Sequence, residues 1–247
     1  MIRVCSGMHP AGYEQYGRKF LDTFDRCWAA SIELQVWTER PTAMQRGICR
    51  DLWSIPGAQD IHERYHASAE RCGRVPRPGW KSSARLKGYN FRFDAAKFWK
   101  QILIPEAAAD GLTDGDILIW LDADVVSLAP ITEEWIEELI GDAEVCYLGR
   151  ERSHSEIGFW AVRINPLTRF FLCAIAEMYR TDAVFDLKEW HSAFVWDSVR
   201  RSIHMAERNL SPGGHGHVFA RSPLSRHLDH LKGDQRKRMG YSPERRR

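Results

Sequence analysis

Asp116-Ile117-Leu118-Ile119-Trp120-Leu121-Asp122-Ala123-Asp124-Val125-Val126 combines an apolar run long enough for one buried strand with two carboxylates one residue apart at its end. Burying a carboxylate at a strand end is costly unless a cation or strong donors compensate, so two of them there point to a metal. In extended backbone, residues two apart project to the same side. Asp122 and Asp124 are therefore expected to reach one hard cation or its bound water together, while Ala123 faces away. Two solvated carboxylates at a strand-to-loop turn are the plain alternative.

The 247 residues can bury a substantial core, with the apolar and charged content of an ordinary globular protein. One domain spanning 1–247 is expected, with a basic tail over 238–247 left unstructured. Met1-Ile2-Arg3-Val4-Cys5 leads into a strand without the pattern of a signal peptide, and no apolar run reaches membrane-spanning length. The expected location is the cytoplasm of a bacterium or of a phage-infected host cell, without a membrane partner; nothing in the sequence sets the oligomeric state. Cys5, Cys27, Cys49, Cys72, Cys146 and Cys173 are scattered, with no Cys-x-x-Cys pair. They read as reduced thiols, mostly in the core, rather than as a zinc cluster or disulfide scaffold.

Net charge is only +2, but it is unevenly spread. Arg71 to Phe93 holds seven basic and no acidic residues, interleaved with Trp80, Tyr89, Phe91 and Phe93, and the C-terminal end repeats the basic bias. Such interleaving suits a polyanion, either nucleic acid or a nucleotide diphosphate; a solvated basic face is the alternative.

Ile2 to Cys5 reads as a strand, Tyr13 to Trp28 as a helix and Ile32 to Trp37 as a second strand, which begins a parallel α/β sheet. Ligands of such sheets sit at the carboxyl ends of the strands. That nominates Ser6, Gly7 and Tyr13 after the first strand, and Thr38 and Glu39 after the second, for a nucleoside. His62-Glu63-Arg64-Tyr65-His66 satisfies the zinc-protease pattern, yet its neighbours supply neither an apolar supporting helix nor an extended third-ligand pattern. It reads as a surface-helix coincidence. Asp94 is expected to cap a helix, and Ala107 to Gly115 to form an inserted loop. Ser211 to His217, with three glycines, is expected to be a mobile loop or a lid with solvated histidines.

Trp120-Leu121-Asp122-Ala123-Asp124-Val125-Val126 resembles the Asp-x-Asp motif of GT-A glycosyltransferases, in particular glycogenin-like, phage and bacterial members. Three further stretches match in the expected order: Ala96-Lys97-Phe98, Gly158 followed by an apolar strand to Asn165-Pro166, and His230-Leu231-Lys232-Gly233-Asp234-Gln235-Arg236. The resemblance implies an α/β, Rossmann-like GT-A fold, with a mostly parallel central sheet flanked by helices and a small second sheet segment. It implies a hexosyl- or pentosyltransferase using a nucleotide-sugar donor, by default a UDP-sugar. Asp122, Asp124 and His230 would hold the metal, His230 favouring Mn2+. Arg92, Lys97, Gly158, Lys232, Gly233 and Arg236 would meet donor sugar or diphosphate, with Lys237 adding charge. Glu189, His191 and Asp197 are candidates for the base of an inverting enzyme, a retaining one being able to use the leaving diphosphate. The chain departs from the family in carrying Ser192 where relatives have Asp, in a longer gap before Asp122, and in lacking a Pro-Trp after the last motif.

The expected acceptor is a hydroxymethylated pyrimidine in phage DNA, with glycan, protein and small-molecule hydroxyls as alternatives. A metal-dependent nucleotidyltransferase is the second class; it would want a basic Gly-rich loop after the first strand, and Ser6 to Gly12 has no Lys or Arg. A binding protein that has lost catalysis is the third.

Overall fold

The computed structural model describes residues 1–41, 47–75, 88–211, 213, 214 and 216–246. Its strands are β1 (Ile2–Met8), β2 (Glu33–Thr38), β3 (Ile48–Asp51), β4 (Ile117–Leu121), β5 (Val125–Ser127), β6 (Val145–Leu148), β7 (Glu156–Arg163), β8 (Glu207–Asn209) and β9 (Leu228–His230). The α-helices are α1 (Pro10–Gly12), α2 (Arg18–Cys27), α3 (Ala58–His66), α4 (Ala95–Phe98), α5 (Lys100–Ala108), α6 (Glu133–Ile140), α7 (Pro166–Arg180), α8 (Ser192–Arg200) and α9 (Gly233–Met239).

Seven strands form one sheet in the order β3-β2-β1-β4-β7-β6-β8, in which β7 alone runs antiparallel to its neighbours; β5 and β9 form a second, two-stranded antiparallel sheet. The chain steps outward from β1 to β3 and then returns to lay β4 on the other side of β1. The reversal falls between β1 and β4, and the carboxyl ends of strands at such a switch point are where open α/β sheets bind ligands.

All five residues of β4 are buried, as a strand covered on both faces requires. Ile117, Ile119 and Leu121 enter a core with Phe20 and Phe24 of α2 and Ile136 and Ile140 of α6. Leu118 and Trp120 enter the opposite core with Ile102 of α5, Ile175 of α7 and Trp196 of α8. The pleat sends successive side chains to opposite faces, so β4 holds the two layers together and its end is fixed from both sides.

Several local expectations hold. Asp94 caps α4, its carboxylate accepting from Lys97 N at 2.9 Å. The stretch Thr132-Glu133-Glu134, which reads as a helix start, is one: Thr132 caps α6, and Gly141 closes it. Others need correction. The first helix starts earlier, at Pro10, and passes through a π-helical turn (Tyr13–Gly17) before α2. Ala107 and Ala108 belong to α5, so only 109–116 connect to β4; burial of Leu103, Ile104 and Ala108 holds that helix despite Pro105 inside it. Only Cys5 and Cys146 are buried among the six free thiols, and Cys173 is exposed. The basic tail is packed rather than loose: Ser242 is 1 % exposed and its N–H donates to Asp229 Oδ2 at 2.8 Å, while Arg245 Nη2 donates to Ser225 O at 2.6 Å. Among the described residues, no helix is long and apolar enough to cross a membrane. Much of the basic aromatic segment, residues 76–87, lies outside the described residues, as do Pro212 and His215 of the glycine-rich loop.

Candidate active site

β4 stops at Leu121, and Val125 N donates to Asp122 O at 2.9 Å, closing a turn that reverses the chain into β5. Strand alternation therefore does not place the two carboxylates; a turn does. β5 pairs with β9 so that Val125 lies opposite His230, and Leu231 N donates to Asp124 O at 3.0 Å. That pairing carries the imidazole across more than a hundred residues of sequence to the two aspartates. His230 Nε2 lies 3.1 Å from Asp124 Oδ1 and 3.7 Å from Asp122 Oδ2.

The other carboxylate oxygens are already held. Asp122 Oδ1 accepts from Trp120 Nε1 at 2.9 Å and from Gln101 Nε2 at 3.3 Å, which leaves Oδ2 facing the ring. Asp124 Oδ2 pairs with Lys237 Nζ at 2.9 Å, and that ammonium also sits 4.3 Å from the centroid of the Tyr16 ring. Burial pushes the Asp122 carboxyl up, with His230 opposing it. Burial also pushes on Asp124, but His230 and Lys237 together overcome it and hold that carboxyl low. Burial, then the two nearby carboxylates, push Tyr16 up to about 12. Two carboxylates and one imidazole converging, with their outer oxygens held and a lysine ammonium as stand-in cation, form a donor set that fits Mn2+ or Mg2+.

Behind His230 the packing is close. A Cβ on Gly158 would lie 2.5 Å from His230 Cε1, so this glycine gives the imidazole its room. Gly158 O also accepts from Asp122 N at 3.0 Å. Two residues earlier on the same face of β7, the buried Glu156 holds Lys232 Nζ at 2.6 Å, pairs with Arg150, and lies 3.6 Å from His230 Nδ1. His217 Nε2 lies 2.9 Å from His230 O and 3.3 Å from Ser242 Oγ. The described part of the glycine-rich loop thus ends on a buried histidine, not a solvated one, because Ser242 and β9 cover it; burial, then His230, push this imidazole down to about 4.

The remaining nominated residues divide into free and engaged groups. Ser6 Oγ donates to Leu121 O at 2.6 Å, fastening β1 to β4 beside the site. Gly7 packs under Ile104, whose Cδ1 a Cβ would meet at 2.5 Å. Tyr13 is half-buried under the Arg18 guanidinium, and Lys97 is exposed. Thr38 is buried and its Oγ1 accepts from Arg40 N at 3.4 Å; Glu39 pairs with Lys100, which outweighs burial and lowers its carboxyl. Arg92 Nη1 pairs with Glu189 at 3.0 Å. Gly233 opens α9 at φ +79°, but Arg236 on that helix turns to Glu244, and Lys237 takes the position over Asp124. Asp197 departs from a catalytic role: it is 3 % exposed, accepts from Ser155 N and Oγ and pairs with Arg200, so its lone pairs are committed to the fold.

His191 lies away from Asp122 along a short chain: Ser192 Oγ donates to Gln101, and Gln101 to Asp122. It forms a second cluster with Glu189 and His154. Burial pushes His191 down, with Glu189 opposing it, and burial together with His191 pushes His154 down to about 4. On α3, His62 and His66 stack with ring centroids 4.0 Å apart, without a third metal-ligating side chain among the described residues.

Tyr16, Gln101, Glu156 and His217 were not nominated by the sequence. Glu156 had a signal, since its i, i+2 spacing to Gly158 places both on one face of a strand. The others meet the site only through the fold.

No protein-family model and no curated protein matches this chain. Among solved structures, a glycosyltransferase involved in glycosylation of the major capsid of PBCV-1 superposes with TM-score 0.51 at 11% identity, over 96% of this chain and 97% of that one. GlyE of Streptococcus pneumoniae TIGR4 gives TM-score 0.40 at 10% identity, over 85% of this chain. The chain spans under half of the GlyE length, 45%. Mouse xyloside xylosyltransferase 1 gives 0.38 at 12% identity, over 72% of this chain and 76% of that one. The PBCV-1 likeness covers both chains nearly end to end, and the fold is that of a GT-A-type glycosyltransferase.

Proposed function

We propose that the chain is a metal-dependent glycosyltransferase acting on a nucleotide-sugar donor, by default a UDP-sugar. The convergence of Asp122, Asp124 and His230 at the carboxyl end of β4 carries this reading. These three side chains would hold Mn2+ or Mg2+, which when bound supplies Lewis acidity toward a diphosphate. The nucleoside enters the crevice beside β1 and β2, where Tyr13, Thr38 and Glu39 line it and Ser6 and Gly7 shape its floor. Lys232 and Lys237 neutralise the diphosphate, with Gly233 letting the backbone come close and Arg236 held in reserve by Glu244; Arg92 and Lys97 lie toward the sugar. The acceptor hydroxyl oxygen bonds to the anomeric carbon as the bond from that carbon to the diphosphate oxygen breaks, and the hydroxyl proton passes to a base or to the departing diphosphate.

For the acceptor, the basic segments support a hydroxymethylated pyrimidine in DNA. A protein or glycan hydroxyl is the second reading. It is favoured because Arg236 and Arg245 are spent on Glu244 and Asp229, which leaves the tail less free charge than its composition implies. The test is release of nucleoside diphosphate from a panel of nucleotide sugars with Mn2+, in wild type and Asp124→Asn, with and without hydroxymethylated DNA. Metal-dependent release lost in the variant is the expected result. Pyrophosphate release from nucleoside triphosphates instead would move the assignment to nucleotidyl transfer. Binding without turnover in either protein would make this a binding module.

A further inference from the structure

We propose that His154, Glu189 and His191 form a second metal site, taking a borderline transition-metal ion of the Zn2+ type. One ligand atom from each of the three lies within 4.8 Å of the others, against the edge of about 3.3 Å expected for a tetrahedron with bonds of about 2.0–2.1 Å. A small contraction of side chains closes that gap.

The local chain is built to present these donors. Glu189 and His191 flank Trp190, which is 1 % exposed and whose backbone N–H donates to Arg92 O at 2.7 Å, so the two ligands project from a fixed segment. His191 has extended backbone at φ −76°, ψ 152° and is 2 % exposed. Glu189 Oε1 is taken by Arg92 at 3.0 Å, the kind of outer partner that ligating carboxylates keep, and its Oε2 faces His191 Nε2 at 3.0 Å. A hydrogen-bonded Glu189–His191 pair would account for those two alone. It does not account for His154, which meets His191 edge-on with ring centroids 4.3 Å apart and has no hydrogen bond to either nitrogen among the described residues. Phe91 and Phe98 pack on His191 at 5.4 and 5.9 Å and hold its ring in place beside the Glu189 carboxylate.

Two imidazoles and one carboxylate favour Zn2+ over the hard cations suited to the aspartate pair, and three protein ligands leave a fourth position open. A metal here ties the segment before β7 to the start of α8. It is separate from the glycosyl-transfer reading and stands or falls without it.

The test titrates Co2+, a spectroscopic substitute for Zn2+, into metal-free wild type and into Asp122→Asn/Asp124→Asn, which removes the oxygen-rich centre. One equivalent producing the intense visible bands of four-coordinate Co2+ is expected in both, bleached by Zn2+. His154→Ala, at a half-buried position, and Glu189→Gln should each weaken Zn2+ binding by more than the roughly 10–100-fold that outer-partner changes cost. Zn2+ should raise the Tm of the double aspartate variant and not that of its His154→Ala derivative. Absence of the bands in the double variant overturns the proposal, as does their survival in His154→Ala. So does their loss in His66→Ala alone, which would place the metal on the α3 histidines. Loss of turnover in His191→Ala with no metal bound to wild type would make His191 a base and equally overturn it.

Discussion

At the end of β4, Asp122 and Asp124 flank the buried Ala123; ahead of α8, Glu189 and His191 flank the buried Trp190. Each pair gains a third donor from elsewhere in the chain, His230 in the first case and His154 in the second. The first cluster is mostly oxygen, backed by Trp120 and Gln101, with the Lys237 ammonium at its edge. The second is mostly nitrogen, with Phe91 and Phe98 packed on His191 and the Arg92 guanidinium on Glu189. The same spacing thus sits in two different donor environments. Donor balance and surroundings, not the x in Asp-x-Asp or Glu-x-His, set which cation and which anionic ligand each suits. Backbone matters as well, since a turn brings the aspartates together whereas His191 has extended backbone at the start of α8.

The largest expected effect separates the two clusters. Asp124→Asn should lower metal-dependent nucleotide-sugar turnover by on the order of 10²–10³-fold or more while leaving Zn2+ affinity at the second cluster unchanged. Steady-state rates paired with Zn2+ titration check this, and a parallel fall of both would erase the distinction. Next in size, Gly158→Ala forces a Cβ to 2.5 Å from His230 Cε1. Overpacking of this kind costs roughly 1–3 kcal/mol, readable by urea denaturation, and should raise the Mn2+ needed for half-maximal rate. The second cluster should not respond.

The wide run of β4, the aspartates ending it, the Asp94 cap and His230 were legible because each is written in a few adjacent residues or in a resemblance with fixed order. The path of Gln101 from α5 to Asp122, and of Glu156 to the back of His230, was not. Those contacts depend on how β7 and α5 pack against β4, which no local period encodes. Arg236 stood at the family spacing for the phosphate contact, yet Glu244 in the folded-back tail captures it and Lys237 reaches Asp124 instead. Composition read the tail as a free polycation because the partners Glu244 and Asp229 become visible only once it folds back.

Smaller effects sharpen the contrast further. Lys237→Met removes the ammonium that competes for Asp124 Oδ2, and should tighten Mn2+ binding without donor by roughly threefold to tenfold, the worth of about 1 kcal/mol in a partly exposed pair. Calorimetric titration reads this, and weaker Mn2+ binding would mean that Lys237 supports the centre rather than substituting for its cation. Each cluster also neighbours or contains a histidine held near pH 4, His217 in one case and His154 in the other, against an ordinary 6.5. The unfolded chain binds more protons across that window, so stability falls as pH drops from about 6.5 to about 4. His217→Gln and His154→Gln should each flatten part of that slope in thermal unfolding followed against pH.

The central claim is that Asp122, Asp124 and His230 share one cation. Anomalous diffraction at the manganese edge, from crystals soaked with Mn2+ and UDP, tests it most directly. A single peak about 2.0–2.3 Å from a carboxylate oxygen of each aspartate and from His230 Nε2 is the predicted result. A manganese peak elsewhere, with His230 still turned to Asp124 and Lys237 still on its carboxylate, would contradict it.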